Sequence, residues 1–589
     1  MCSFFALFNT RFYTRCYPGY LNSLVSPRTA LLCLTALLAP AQTSPPTNRT
    51  VLLDSMTQEL NRNFSALKEK ADPAPYFLSY EVTDVDYRSV SATLGAVTAG
   101  NGGRSRSLDV SVRVGSPKMD NYRRIRGDRG QFTSGAALSY EDSPNSIKRR
   151  LWLETDRAYR AAAERFIRIR TNTQVKVAAE DDSDDFSIEK PAKFEDVPPP
   201  LTFDEEAWTA RLRTLSNRFR SYPRVLTSHV NVAAETDTRY LVNTEGSRIA
   251  HGRGFARISI SASAKAADGT DLNTFETFEA LDAKGLPDDK TLFAAVDRVA
   301  GDLTSLLKAP EAEPFVGPAI FSGRAAGVFF HEIFGHRVEG HRQKDDSEGQ
   351  TFTKSVNTKV LPDFLTVVFD PTRRQIGGVD LNGWYEYDDE GVKGQKVTAV
   401  DQGVLKTFLM SRSPIKGVEK SNGHGRRQPG LEVVSRQSNL IVQSSNSVSD
   451  SRLREMLIAE AKRQNKPYGL FFRDITGGFT TTGRSGLQAF KVIPVIVYRV
   501  YTDGRPDELV RGADIVGTPL ASFSKIIATG DKPEVFNGYC GAESGSVPVS
   551  AVSPAILVSE IEIEKKAKSN DRPPLLPEPT SLETVRDRQ

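Results

Sequence analysis

Residues 331–336 read His331-Glu332-Ile333-Phe334-Gly335-His336, an H-E-x-x-x-H pattern. Neutral imidazoles hold divalent metals, and a carboxylate beside them can take a proton from a metal-bound water. Three of the chain's six histidines fall between His331 and His341. At this composition the pattern arises by chance only about 0.003 times per chain, so we read it as a site. The spacing is one residue longer than in the familiar H-E-x-x-H zinc helix. An offset of four puts the histidines about 40° apart around a regular helix; an offset of five puts them about 140° apart. An unbroken helix therefore cannot aim both at one ion. A π-like turn at or near Gly335 would bring them together, since glycine has no Cβ to resist the distortion. The expected motif helix covers roughly Arg324–Gly340. Without such a turn, these are two unrelated histidines on opposite faces.

A catalytic zinc commonly takes three protein ligands and keeps one position open for water. An Asp, a Glu, another His or a Cys could complete the set. His341 is nearest in sequence, but the helix would have to end and fold back to deliver it. Cys540 is the more attractive choice. It sits in the glycine-rich stretch Asn537–Gly545, expected to turn, where backbone can come close to an ion that stabilises a thiolate. Alone it would read as a small buried hydrophobe.

The rest of the chain must position these groups. Its 589 residues exceed one ordinary core, so two or three domains are expected. With 39% hydrophobic and 25% charged residues, the composition is that of a soluble globular protein. Arg11, Arg15 and Arg28 precede the apolar run Ala30–Ala39, and Ala39-Pro40-Ala41 offers a small-x-small cleavage site. Residues 1–41 therefore read as a signal peptide for export to the periplasm or medium. The apolar run is too short to span a bilayer, and no other segment looks transmembrane. Removing residues 1–41 lowers the net charge from +4 to +1, and nothing points to a nucleic-acid partner. Basic runs such as Lys148-Arg149-Arg150 read as solvated surface. It also removes Cys2, Cys16 and Cys33, leaving Cys540 with no internal disulfide partner.

The expected fold class is α+β. An N-terminal α/β domain covers 42–310, with helices over Val51–Lys70, Ile147–Arg170, Phe203–Phe219 and Leu292–Leu307. Its strands are short: Tyr76–Val82 and Leu108–Val114 around a Gly- and Ser-rich separator (Thr98–Ser107), then His229–Ala233, Thr238–Asn243 and Ala256–Ala262. A β-rich C-terminal domain, 311–565, carries the motif helix. In it Lys491–Tyr501 and Ala555–Glu564 read as strands, and Thr518-Pro519 starts a helix to Ala528. Residues 566–589 form a proline-rich tail expected to be disordered.

Four stretches together resemble the TldD/PmbA family, specifically its metal-bearing TldD side. His331–His336 followed by Glu339-Gly340 looks like the family's zinc-site helix. Asp388-Asp389-Glu390-Gly391 resembles its D-D-E-G segment. Gly423-His424-Gly425-Arg426-Arg427 resembles its G-N-G-R-R, with His424 in place of the usual Asn. Cys540-Gly541 and Gly545-Ser546-Val547-Pro548-Val549 resemble its C-G-x-x-G-Q-x-x-P-V block, with Ser546 at the usual Gln. The likeness runs from about Thr227 to Glu564.

The resemblance implies a zinc-dependent metallopeptidase with His331, His336 and Cys540 as ligands and Glu332 as general base. It implies a dimer, with a PmbA-like partner subunit or a second copy, enclosing a chamber that admits extended or unfolded peptide. A peptide strand would there add to a sheet edge. His424, Arg426 and Arg427 are candidate contacts to substrate or to the oxyanion. Asp388, Asp389 and Glu390 are candidates to orient a ligand histidine, or else to cap a turn. The competing readings are a non-catalytic peptide-binding, chamber-forming subunit and a zinc amidohydrolase of a non-peptide amide. The export signal departs from the family's familiar cytosolic members.

Overall fold

A computed structural model describes the backbone of residues 2–5 and residues 48–125, 128, 130–173, 181–484, 490–517, 522–568 and 571–576. The fold is mixed α and β, built on two large sheets. The expected signal peptide, Cys2–Phe5 apart, and most of the expected tail lie outside the described residues.

The first sheet has eight strands, and its long members run antiparallel in the order Ala96–Ser116, Pro75–Thr93, Thr227–Asn243, Arg248–Lys265, Asp271–Ala280. Alternation decides which face each residue joins. Leu78, Tyr80, Val82, Val230, Val232 and Val242 point to a face covered by the helices Arg49–Lys70, Pro144–Thr173, Glu205–Asn217 and Asp289–Lys308. Glu81 and Arg239, on the opposite face, meet Arg427 and Asp389 from the C-terminal half.

The Gly- and Ser-rich separator at Thr98–Ser107 is not a loop. It lies inside the strand Ala96–Ser116, paired with Pro75–Thr93 except for a bulge at Thr98. Its glycines suit that pairing: a Cβ on Gly102 would lie 2.6 Å from Arg88 Cδ. His229–Ala233 and Thr238–Asn243 likewise merge into one strand, Thr227–Asn243.

The second sheet has thirteen strands, twelve of them from residues 315–565 and the other Cys2–Phe5. Part of it closes into a ring. Tyr468–Thr480 pairs with Phe490–Tyr501, which pairs with Ala513–Gly517; that strand pairs with Gly545–Lys565, and Gly545–Lys565 pairs with Ile526–Ala542. Cys2–Phe5 bridges the remaining gap, antiparallel to both Ile526–Ala542 and Tyr468–Thr480. The helix expected over Thr518–Ala528 begins outside the described residues, and from Ile526 onward the chain is strand.

The motif helix, Gly323–Ile333, packs against these strands with every residue but Arg324 buried. Ser322 caps it, its hydroxyl accepting from the Ala325 N–H at 3.2 Å. Gly327 lets its backbone approach the strand Gly545–Lys565, since a Cβ there would meet Ala551 O at 3.0 Å. Phe329, Phe330 and Phe334 share an aromatic cluster with Phe523, each ring worth about 1.5–3 kcal/mol of burial. No helix among the described residues is long and apolar enough to cross a membrane.

Candidate metal centre

The offset of five is solved by ending the helix, not by widening it. The α-helix stops at Ile333, Phe334 donates to Phe330 O at 3.0 Å, and a 3-10 turn follows over Gly335–Val338. The expected π-like turn and the continuation to Gly340 are both replaced by this break. Two side chains make it. Arg337 Nη1 donates to the last helical carbonyls, Glu332 O at 3.1 Å and Ile333 O at 3.0 Å, which have no partner within the helix. Gln437 fills the space beside Gly335, where a Cβ would lie 1.9 Å from Gln437 Oε1. Glycine leaves the space that the Gln437 amide occupies.

The break turns both imidazoles toward one sulfur. His331 Nε2 lies 3.3 Å and His336 Nε2 3.4 Å from Cys540 Sγ, and the two rings stand at 88° to each other. All three residues are fully buried, and their donor atoms lie within 4.8 Å of one another. Tetrahedral ligands at zinc–nitrogen and zinc–sulfur bond lengths stand roughly 3.4–3.6 Å apart, so the set fits zinc. Burial holds the His331 imidazole neutral, as a metal ligand must be. Burial favours the neutral thiol at Cys540, yet His336, Arg436 and His331 bring its pKa well below the ordinary value. Cys540 lies in the strand Ile526–Ala542, not in a turn; the chain reverses just beyond it, between Ala542 and Gly545.

Three residues that the motifs did not single out for a role hold this set in place. Glu339 Oε2 sits 3.2 Å from His336 Nδ1, so the imidazole's other nitrogen faces the sulfur. Burial would raise the Glu339 pKa, but His336, Arg342 and Arg436 together hold it down to about 2. Arg436 spans the site. It donates to Cys540 O at 2.5 Å and Ser544 Oγ at 2.8 Å, and its Nε stands 3.6 Å from Glu339 Oε1. Gln437 Nε2 donates to His331 O at 3.3 Å. Glu339 was within reach of local spacing, three residues after His336. Arg436 and Gln437 lie about a hundred residues away in sequence and carry no local signal.

Replacing Glu339 by Gln should lower zinc affinity about 10–100-fold, the usual cost of losing a histidine's carboxylate partner. Competition with a chromogenic chelator measures it; unchanged affinity would remove the orienting role.

Glu332 is buried and turned toward the strand Tyr468–Thr480. A Cβ on Gly478 would lie 2.8 Å from Glu332 Cγ, so that glycine makes room for the side chain.

The remaining predicted residues go elsewhere. His341 lies outside the histidine–cysteine set and pairs with Glu543, whose other oxygen accepts from Arg342 Nη2 at 2.9 Å. His424 bonds Asn422 O and Ser438 Oγ, both at 3.1 Å, and burial lowers its pKa to about 3. Arg426 donates to Gln437 O at 2.8 Å and Pro548 O at 2.7 Å, and burial lowers its pKa to about 10. Arg427 pairs with Glu81 at 2.7 Å. The bonds of these three tie loops and sheets together. Asp388, Asp389 and Glu390 accept from the backbone of Gly425, Arg427 and Arg412. Asp388 and Asp389 fix the 425–427 segment and Glu390 holds the backbone at Arg412, rather than a ligand histidine. Asp388 also accepts from Glu390 N and Val392 N, the turn-capping alternative.

The sequence profile of the PmbA/TldA metallopeptidase C-terminal domain matches residues 316–565. Metalloprotease MJ0996 of Methanocaldococcus jannaschii is 29% identical over 245 residues, 41% of this chain and 50% of that protein. A zinc metalloprotease TldD homolog of Saccharolobus solfataricus is 24% identical over 251 residues, 42% of this chain and 51% of that protein. The matched part thus spans about half the length of these curated relatives. In fold, the chain is similar to TldE from Thermococcus kodakarensis, with a TM-score of 0.59 at 14% identity, covering 87% of this chain and 100% of that one. Residues 316–565 thus form a C-terminal domain of the TldD/PmbA family, within a chain whose overall fold is that of TldE.

Proposed function

We propose that the protein is a zinc-dependent peptidase that hydrolyses peptide bonds in extended or unfolded chains. The observation that carries this is a buried His331–His336–Cys540 donor set, with the buried Glu332 next in sequence to His331. The metalloprotease and zinc metalloprotease names of the relatives support it. His331, His336 and Cys540 would hold the ion. An ion held there would supply a water of lowered pKa and a Lewis acid for the scissile carbonyl. Glu332 takes the proton from the attacking water and passes it to the leaving amine. Glu339 and Arg436 keep His336 and the Cys540 strand in register through that transfer. A carboxylate base is not needed at a purely structural metal site, which favours this reading over a non-catalytic scaffold.

We also propose a TldE-like partner subunit, supported by the fold match and by relatives that bear the TldD name. Export by residues 1–41 is proposed on the leader pattern alone. With its partner, the protein should cleave unfolded casein, lose that activity to a zinc chelator, and regain it with zinc. Casein left intact by the zinc-loaded complex would reject the peptidase reading.

A further inference from the structure

The ring of strands around the motif helix is completed by a segment from the far end of the chain. Cys2–Phe5 lies between Tyr468–Thr480 and Ile526–Ala542, antiparallel to both. Ser3 is level with Phe479 on one side and Gly541 on the other; Phe4 is level with Gly478 and Cys540; Phe5 is level with Gly477 and Tyr539. These are the site's own residues. Cys540 is a proposed zinc ligand, and Gly478 is the glycine that makes room for Glu332. Neighbouring strands stand about 4.8 Å apart, so the backbone of Phe4 runs one strand spacing from each. Without this segment, two strand edges would face each other across the site, each with unpaired N–H and C=O groups.

We propose that the N-terminal strand is an occupant of the peptide slot in cis, which keeps the unprocessed chain latent. Any extended segment can fill such a slot, because the ladder reads backbone and not side chains. The chain's own N-terminus has the advantage of covalent tethering, which sets a high local concentration. The expected cleavage site at Ala39-Pro40-Ala41 lies downstream of the strand, so hydrolysis there detaches it and opens the slot. A chain that keeps its leader then binds peptide more weakly in the compartment where it is made. The inference rests on the peptidase reading only for the identity of the competing ligand; occupancy of the slot does not depend on it.

Successive N–H groups of a strand point to opposite neighbours, so Ser3→Pro and Phe4→Pro each remove a ladder bond on a different side. In the full-length chain, hydrogen exchange at Gly477–Thr480 and Tyr539–Gly541 should be slow and should quicken in both variants, with zinc content unchanged. A strand in place nine-tenths of the time raises the apparent KM about tenfold, so KM for an extended peptide should fall by that factor with kcat unchanged. A fluorescent peptide bound without turnover gives the same comparison should the protein hydrolyse nothing. Exchange and peptide affinity identical in wild type and both variants would overturn the proposal. Quickened exchange with no hydrolysis in any form would keep the occupant and remove the peptidase.

Discussion

Replacing Glu332 by Gln should leave zinc bound and lower kcat by about 10²–10⁴, the usual contribution of a positioned general base. That range corresponds to roughly 3–5 kcal/mol of barrier. The amide keeps the size of the carboxylate and the packing against Gly478 but cannot accept the water's proton. Glu332 lies outside the donor set, so zinc content should remain that of wild type. The comparison needs both readings on one preparation, metal by mass spectrometry and cleavage by new amino termini. Wild-type turnover would remove Glu332 as the base. Loss of zinc together with activity would make its role structural.

Replacing Cys540 by Ala should act on the other half of the mechanism. Losing a partner one step removed from a metal costs about 10–100-fold in affinity. Losing a ligand should cost at least the upper end, about 100-fold. The zinc-induced rise in melting temperature should shrink with it, since a ligand at 100 times its dissociation constant stabilises by about 2.7 kcal/mol. The fold itself should survive: Arg436 holds the strand through the Cys540 carbonyl, not through its sulfur. A variant that binds zinc as wild type does would show that His341 or a carboxylate completes the set instead.

The sequence disclosed these two residues to different degrees. His331, Glu332 and His336 are legible because they lie within six consecutive residues, where a short motif can be read directly from the sequence. The break after Ile333 was not, because it depends on Arg337 capping the helix and on Gln437 pressing against Gly335. That second contact crosses about a hundred residues. Cys540 stood out as the cysteine left after the leader, through its glycine-rich surroundings and through a family block, although the turn expected around it is a strand. The long helices follow their apolar periodicity closely, and Asp289–Lys308 extends only a turn beyond the expected span. The strands are longer than expected where pairing overrides local composition, as at Thr98–Ser107. Asp388, Asp389, Arg426 and Arg427 are charged, clustered and buried, which resembles a site in sequence. Their partners show that they fasten the 425–427 segment and bind the C-terminal half to Glu81 and Arg239 of the first sheet. Family motifs mark both kinds of residue alike, and only the hydrogen bonds separate them.

The most direct test of the central claim is the zinc K-edge X-ray absorption spectrum of the purified, full-length protein. The account predicts one sulfur at about 2.3 Å and nitrogen or oxygen donors at about 2.0–2.1 Å, with the sulfur shell lost in Cys540→Ala. A wild-type spectrum with no sulfur shell would contradict it.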